Sequence, residues 1–228
     1  MLSSPLASSH RSAAEADRRP RWRRRGVRAA LLYLGVVVVT QALVWTGVLA
    51  ARAAGNDPTT TMVAVPNFRV VDERLWAGGQ PDAEAYRVLA ARGVRLVVDL
   101  RTGAADDPNT DDPSLLASLG IAYVSLPVAD GHVPSTAQVG RFVALVQSAP
   151  GRVFVHCGGG VGRTSALTAA YARRSGARAP FDDMVAIGPH TLEQLWFVAT
   201  GDSNVVVRRA SEVVDAPRRA WSRIRGLL

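Results

Sequence analysis

The stretch HCGGGVGRTS, His156 to Ser165, holds the only cysteine in a chain of 228 residues, inside a run of glycines that closes on an arginine and two hydroxyl residues. Gly158, Gly159, Gly160 and Gly162 have no side chains, so their backbone N–H groups, with that of Val161 between them, can converge on an anion at a helix start. Arg163, six positions after Cys157, offers a planar fork for two phosphate oxygens. The same positive field favours the Cys157 thiolate, the nucleophilic form. Thr164 or Ser165 could donate a hydrogen bond to the sulfur and ease its later departure. Two other readings explain less. A nucleotide-binding P-loop would need Gly at Cys157 and Lys at Arg163, and both fail. A plain flexible turn leaves the cysteine and the arginine without a reason.

The surrounding pattern says what must hold this loop. VRLVVDL (94–100) and RVFVH (152–156) are short apolar runs that fit buried parallel strands, and IAYVSLPV (121–128) reads as another. VVDERLWAGG (70–79) suggests an early strand pair. PDAEAYRVLAARG (81–93), PSLLASLG (113–120), PSTAQVGRFVALVQSAPG (134–151) and TSALTAAYARRSG (164–176) have helical spacing with start or stop residues. Strands alternating with helices predict an α/β domain whose mixed, mostly parallel central sheet is flanked by helices. The glycine loop then sits beyond the carboxyl end of a strand, where such sheets bind ligands.

All 27 basic residues are Arg, and the net charge is +8. That charge is concentrated: residues 1–52 carry nine Arg against Glu15 and Asp17, whereas residues 53–228 carry eighteen against seventeen acids. A basic arm on a nearly neutral domain argues against a nucleic-acid partner. One cysteine and four scattered histidines exclude an internal disulfide and a thiolate-rich zinc site.

The arm, residues 1–28, is Arg-dense without hydrophobic period and is expected to be disordered. Residues 29–51 follow without a single charge, 23 in a row, enough for a membrane span of about 20 residues. A cleavable signal peptide has a shorter apolar run, so an uncleaved single-pass anchor is preferred. Eight Arg precede the span and only Arg52 follows closely, which places the N-terminus in the cytoplasm and the domain outside it. Residues 52–66 read as a linker, 67–202 as the globular domain and 203–228 as a basic amphipathic helix. That last helix could lie on an anionic membrane or pack on the domain, with Val206, Ala210, Val213 and Val214 on its apolar face and Pro217 as a kink.

His156-Cys157, five residues, Arg163 and Thr164 together resemble the H-C-x5-R-[ST] signature of the cysteine-dependent protein tyrosine phosphatases, and the compact element order resembles their dual-specificity branch. LWAGGQPDAEAYRVLAARGVRLVVDLR (75–101) is also similar to the opening of bacterial and fungal members. The resemblance covers residues 67–200. It implies a cysteinyl-phosphate mechanism without metal or cofactor, with Cys157 as nucleophile, Arg163 and the amides of Gly158, Gly159, Gly160, Val161 and Gly162 on the phosphate, and His156 and Ser165 in support. The family takes its general acid from an earlier loop. Asp130, 27 residues before Cys157 in LPVADGHVPS, fits that place, with His132 as the reserve.

Low-molecular-weight phosphatases place the acid after the cysteine, and rhodanese-type transferases would need neither Asp130 nor Thr164. Relatives that act on heavily phosphorylated substrates carry cations within the loop, where this chain has Gly158, Gly159 and Val161. A singly phosphorylated substrate is therefore favoured, unless Arg101 or Arg141 supplies charge from a neighbouring segment. The expected partner is a phosphorylated protein, with a small-molecule or lipid phosphate as the alternative and a catalytically silent phosphate-binding module as the rival class. DDPNTDD (106–112) has the alternate spacing of a calcium loop at Asp107, Asn109 and Asp111 but lacks its Gly and final Glu, so a solvated acidic loop is expected. His190 reads as a cap or core residue.

Overall fold

In a computed structural model of the chain, residues 21–61, 63–104, 111–177 and 181–226 are described. Most of the basic arm, Asp107 and Asn109 lie outside them. Helix α1 runs Arg21–Ala53, beyond both ends of the apolar run at 29–51, so residues 21–28 of the arm expected to be disordered are helical. Up to Val39 it belongs to one compact unit, and Thr40–Leu228 form the other. Within that second unit Val44, Val48 and Ala51 are buried, while Leu43, Trp45 and Leu49 face outward. Polar contacts fix this stretch: Gln41 Nε2 donates to Asp215 Oδ1 at 3.1 Å, and the Arg52 guanidinium donates to the carbonyls of Ala186 and Ile187.

The sheet has five strands, β1 (Arg69–Val70), β2 (Leu75–Gly78), β3 (Val94–Asp99), β4 (Ala122–Ser125) and β5 (Arg152–His156), in the order β1-β2-β5-β3-β4. Only β1–β2 is antiparallel; the other three pairings are parallel. Helices α2 (Ala83–Ala91), α3 (Pro113–Ser118) and α4 (Thr136–Ser148) make the crossovers, and α5 (Gly162–Ser175) leaves the sheet after β5. The expected mixed, mostly parallel sheet between helices is present.

Strand alternation divides the core. Leu96, Val98, Val153 and Val155 pack with Phe142 and Val146 of α4 and Leu167 of α5. Val97 and Phe154, one residue out of step, pack with Tyr86 and Leu89 of α2 and Leu116 of α3. The strands are apolar on both faces because helices cover both. Ser135 begins α4 with a capping box to Gln138, which satisfies two otherwise orphaned backbone donors.

Beyond α5 the chain adds α6 (Phe181–Ile187), α7 (Leu192–Thr200), α8 (Val205–Val214) and α9 (Ala216–Gly226). The tail is thus two helices, divided at Asp215, with Pro217 in the first turn of α9 where its missing N–H costs nothing. The apolar residues read from sequence divide between two faces. Ser211 and Val214 are buried, whereas Val206 and Val213 face outward, because Ser211 Oγ donates to the buried Asp215 carboxylate and turns that side of α8 inward.

Candidate active site

The loop between β5 and α5 lies where the carboxyl ends of β2, β3 and β5 meet, since Gly78 and Asp99 both pair with His156. Its carbonyls are tied down from one side. Gln80 N–H donates to Gly158 O at 2.9 Å, Asn67 Nδ2 to Gly159 O at 2.8 Å and Arg69 Nη1 to Gly160 O at 3.0 Å. A trans peptide points its N–H opposite to its C=O, so the amides of Gly159, Gly160 and Val161 turn the other way. That is the orientation the expected amide cradle needs at these three residues, and its cause is three residues of the β1–β2 region.

The glycines themselves divide by necessity. A Cβ on Gly160, whose φ is +73°, would stand 2.3 Å from Gly78 C, and one on Gly162 would stand 2.4 Å from Gln194 Oε1. At Gly158 and Gly159 nothing lies within 4 Å. Gly160 is required by the backbone packed on it, and a side chain at Gly162 would have to displace the Gln194 amide; the other two meet no such neighbour.

Cys157 is buried, and Thr164 Oγ1 donates to its Sγ at 3.1 Å. Of the two candidate hydroxyls, Thr164 therefore reaches the sulfur, while Ser165 Oγ accepts from Arg69 Nη2 at 3.2 Å. The Arg163 fork is aimed by two carbonyls, Val128 O at 3.2 Å and Leu100 O at 3.4 Å, and its Nη2 lies 3.6 Å from Asp130 Oδ1. Asp130, Cys157, Gly159, Val161, Gly162 and Arg163 line one cavity of about 170 Å³. His132 does not line it; His132 Nδ1 sits 2.8 Å from Glu193 Oε2 instead.

Beneath the loop, His156 is fully buried between two carboxylates, with Nε2 3.4 Å from Asp111 Oδ2 and Nδ1 3.7 Å from Asp99 Oδ1. Tyr86 Oη donates to Asp111, and Arg101 donates to both carboxylates. Burial raises the Asp111 pKa, but the bonds from His156, Tyr86 and Gln80 outweigh it and hold the carboxyl well below its usual range. The expectation of a solvated acidic loop is corrected at Asp111, whose charge is matched by this network. Asp99, Asp111 and His156 stand close enough to hold a metal ion, yet the Arg101 guanidinium already serves both carboxylates.

Arg69 had no signal in the sequence. It is 1% exposed, its Nε has no hydrogen-bond partner, and it braces Gly160 and Ser165. Burial lowers its pKa to about 10, opposed by the nearby Cys157 side chain. Gln194 was marked only by the helix-start pattern Thr191-x-x-Gln194, and its amide packs over Gly162. Charge at the pocket comes from Arg218 and Arg219 of α9, which line it. Arg101, turned into the buried network, and Arg141, on α4, are not among the lining residues.

Residues 60–200 match the family described as DSP-PTPase phosphatase fused to NAD+ kinase. The chain is 38% identical over 113 residues to the probable NAD kinase 2, chloroplastic, of Oryza sativa subsp. japonica, covering 45% of this chain and 11% of that protein. It is 32% identical over 101 residues to the beta-lactamase hydrolase-like protein of Agrobacterium fabrum, covering 43% of this chain and 22% of that one. It thus spans less than a quarter of the length of either relative. The core catalytic domain of the PP-IP phosphatase SIW14 from S. cerevisiae, solved with citrate, shares the fold with a TM-score of 0.50 at 17% identity, over 66% of this chain and 94% of that one.

Proposed function

The chain belongs to the DSP-PTPase phosphatases, the family described as fused to NAD+ kinase, and is a cysteine-dependent phosphatase; from that premise we propose a membrane-anchored phosphomonoester hydrolase that works through a cysteinyl-phosphate. The observation that carries the mechanism is one cavity lined by Cys157, Arg163 and Asp130, with Thr164 bonded to the sulfur.

Cys157 Sγ attacks phosphorus as the bond to the leaving oxygen breaks, and Asp130 gives that oxygen its proton. Arg163 and the loop amides hold the three equatorial oxygens. Asp130, now a carboxylate, takes a proton from the water that displaces sulfur, and Thr164 donates to the departing thiolate. No step draws on a metal or cofactor. His156 and Ser165 position the loop and touch no substrate. The test is Cys157→Ser: it abolishes turnover of a chromogenic aryl phosphate and keeps phosphate binding. A silent binding module would show no vanadate-sensitive turnover in the native chain.

Phosphotyrosine, with phosphoserine or phosphothreonine, in a protein is the first substrate reading. A small-molecule or lipid phosphate is the second, favoured by the two α9 cations at the pocket.

The anchor is assigned to residues 29–51. It is supported by an apolar helix long enough to cross a bilayer, 25–53, with Leu31, Leu32, Val36, Val38 and Val39 exposed; from Gln41 onward the same helix is also held against the domain. Residues 1–28 form a cytoplasmic arm, and 52–66 link the anchor to a phosphatase domain at 67–202 and a basic helical tail at 203–228. The arginine bias puts the domain outside the cytoplasm. Carbonate extraction of membranes and protease access to intact cells check both assignments.

A further inference from the structure

Arg163 and the loop amides suffice for one phosphate, yet the same cavity is lined by two more arginines, Arg218 and Arg219, and by Asp130 as its single acid among the described residues. Both arginines sit in the first turn of α9, and both are held there. Arg219 Nη1 lies 3.4 Å from His132 Nε2, and its Nη2 donates to Ser211 Oγ at 3.3 Å. Its Nε packs at Gly131, beside Asp130, 2.8 Å from where a Cβ would stand. Arg218 Nη2 donates to Gln41 Oε1 and lies 3.9 Å from Asp215 Oδ1.

Asp215 cannot offset these charges alone. Its carboxylate also accepts from Leu192 N–H, Ser211 Oγ and Gln41 Nε2. Arg218 Nη1 is buried with no hydrogen-bond partner, and burial lowers the Arg218 pKa. Holding a partly desolvated cation against a pocket that already contains Arg163 is costly for the empty site and favourable once an anion enters.

We infer that Arg218 and Arg219 form a second anion subsite beside the catalytic phosphate site, and that the substrate is a small phosphomonoester bearing a second phosphate or carboxylate a few bonds from the scissile group. This rests on the phosphatase reading above. Both arginines line the same small cavity as Cys157, about 170 Å³, so the second charge has to sit close to the first. An acidic neighbour in a phosphopeptide would lie farther out along the chain. The loop's lack of cations is thereby offset from α9, so this inference departs from the expectation of a singly phosphorylated substrate.

The experiment titrates the full chain in the Cys157→Ser background with inorganic phosphate and with methylenebisphosphonate, followed by calorimetry. The bisphosphonate should bind at least about tenfold more tightly than phosphate. Arg218→Gln with Arg219→Gln should abolish that preference, and Arg218→Lys with Arg219→Lys should retain part of it while guarding against a folding defect. Equal affinities in the Cys157→Ser protein overturn the subsite. So does a phosphotyrosyl peptide with acidic flanks that binds more tightly than the bisphosphonate. If the preference is present but the native chain hydrolyses no aryl phosphate, the phosphatase reading fails and the subsite stands.

Discussion

Thr164 Oγ1 donates to Cys157 Sγ across 3.1 Å, with both side chains buried at the foot of α5. A donor to sulfur matters most when the thiolate leaves, in the hydrolysis of the cysteinyl-phosphate. Thr164→Ala should therefore slow the second step more than the first. The expected result is a loss of about 100-fold in kcat, a stoichiometric burst of the first product, and recovery in Thr164→Ser. Stopped-flow measurement of the burst checks this.

Arg69 is a buried cation whose partners are carbonyls, a hydroxyl and the Cys157 side chain. Arg69→Met removes the desolvated charge along with its hydrogen bonds, so the net change in stability should stay within about 2 kcal/mol. Activity should fall much further, because Gly160 O is released and the amide cradle loosens. Urea denaturation beside aryl phosphate kinetics separates the two. A variant that keeps full activity would remove Arg69 from the account.

Gly158 and Gly160 are two residues apart and predict opposite outcomes. Gly160→Ala meets backbone at 2.3 Å with a φ of +73° and should cost more than about 4 kcal/mol. Gly158→Ala meets nothing within 4 Å and should change stability by less than about 1 kcal/mol. Thermal melts of the two variants decide.

His190 is buried, Nδ1 sits 2.7 Å from Gly188 O, and burial lowers its pKa to about 4. The unfolded chain binds a proton there near pH 6.5 and the folded chain does not, so its contribution is complete above that value. It is lost as pH falls from about 6.5 toward 4, reaching about 2 kcal/mol at pH 5. Urea denaturation at pH 7 and pH 5 should show this slope, and His190→Gln should flatten it.

The parts legible in the sequence were those written in local pattern. The Val-rich runs of β3 and β5, the helix start at 134–136 and the Cys157–Arg163 spacing each lie within a few residues of one another. The parts that were not legible depend on distant segments. Asn67 and Arg69 reach Gly159 and Gly160 only because β2 pairs with β5 in parallel, Gly78 opposite His156. Asp111 looked solvated until Arg101, Tyr86 and His156 closed around it. The tail's sequence left open whether it lies on a membrane or packs on the domain, because its basic residues suit either. Its division at Asp215, which also receives Leu192 N–H from α7, turns Arg218 and Arg219 toward the pocket.

The central claim is that phosphate passes through the Cys157 sulfur. The direct measurement is acid quench of the native chain during aryl phosphate turnover, followed by mass spectrometry of its peptides. A single phosphoryl group on the peptide containing Cys157, absent from Cys157→Ser, is the predicted result. Turnover by Cys157→Ser, or a phosphoryl group trapped on any other residue, would contradict it.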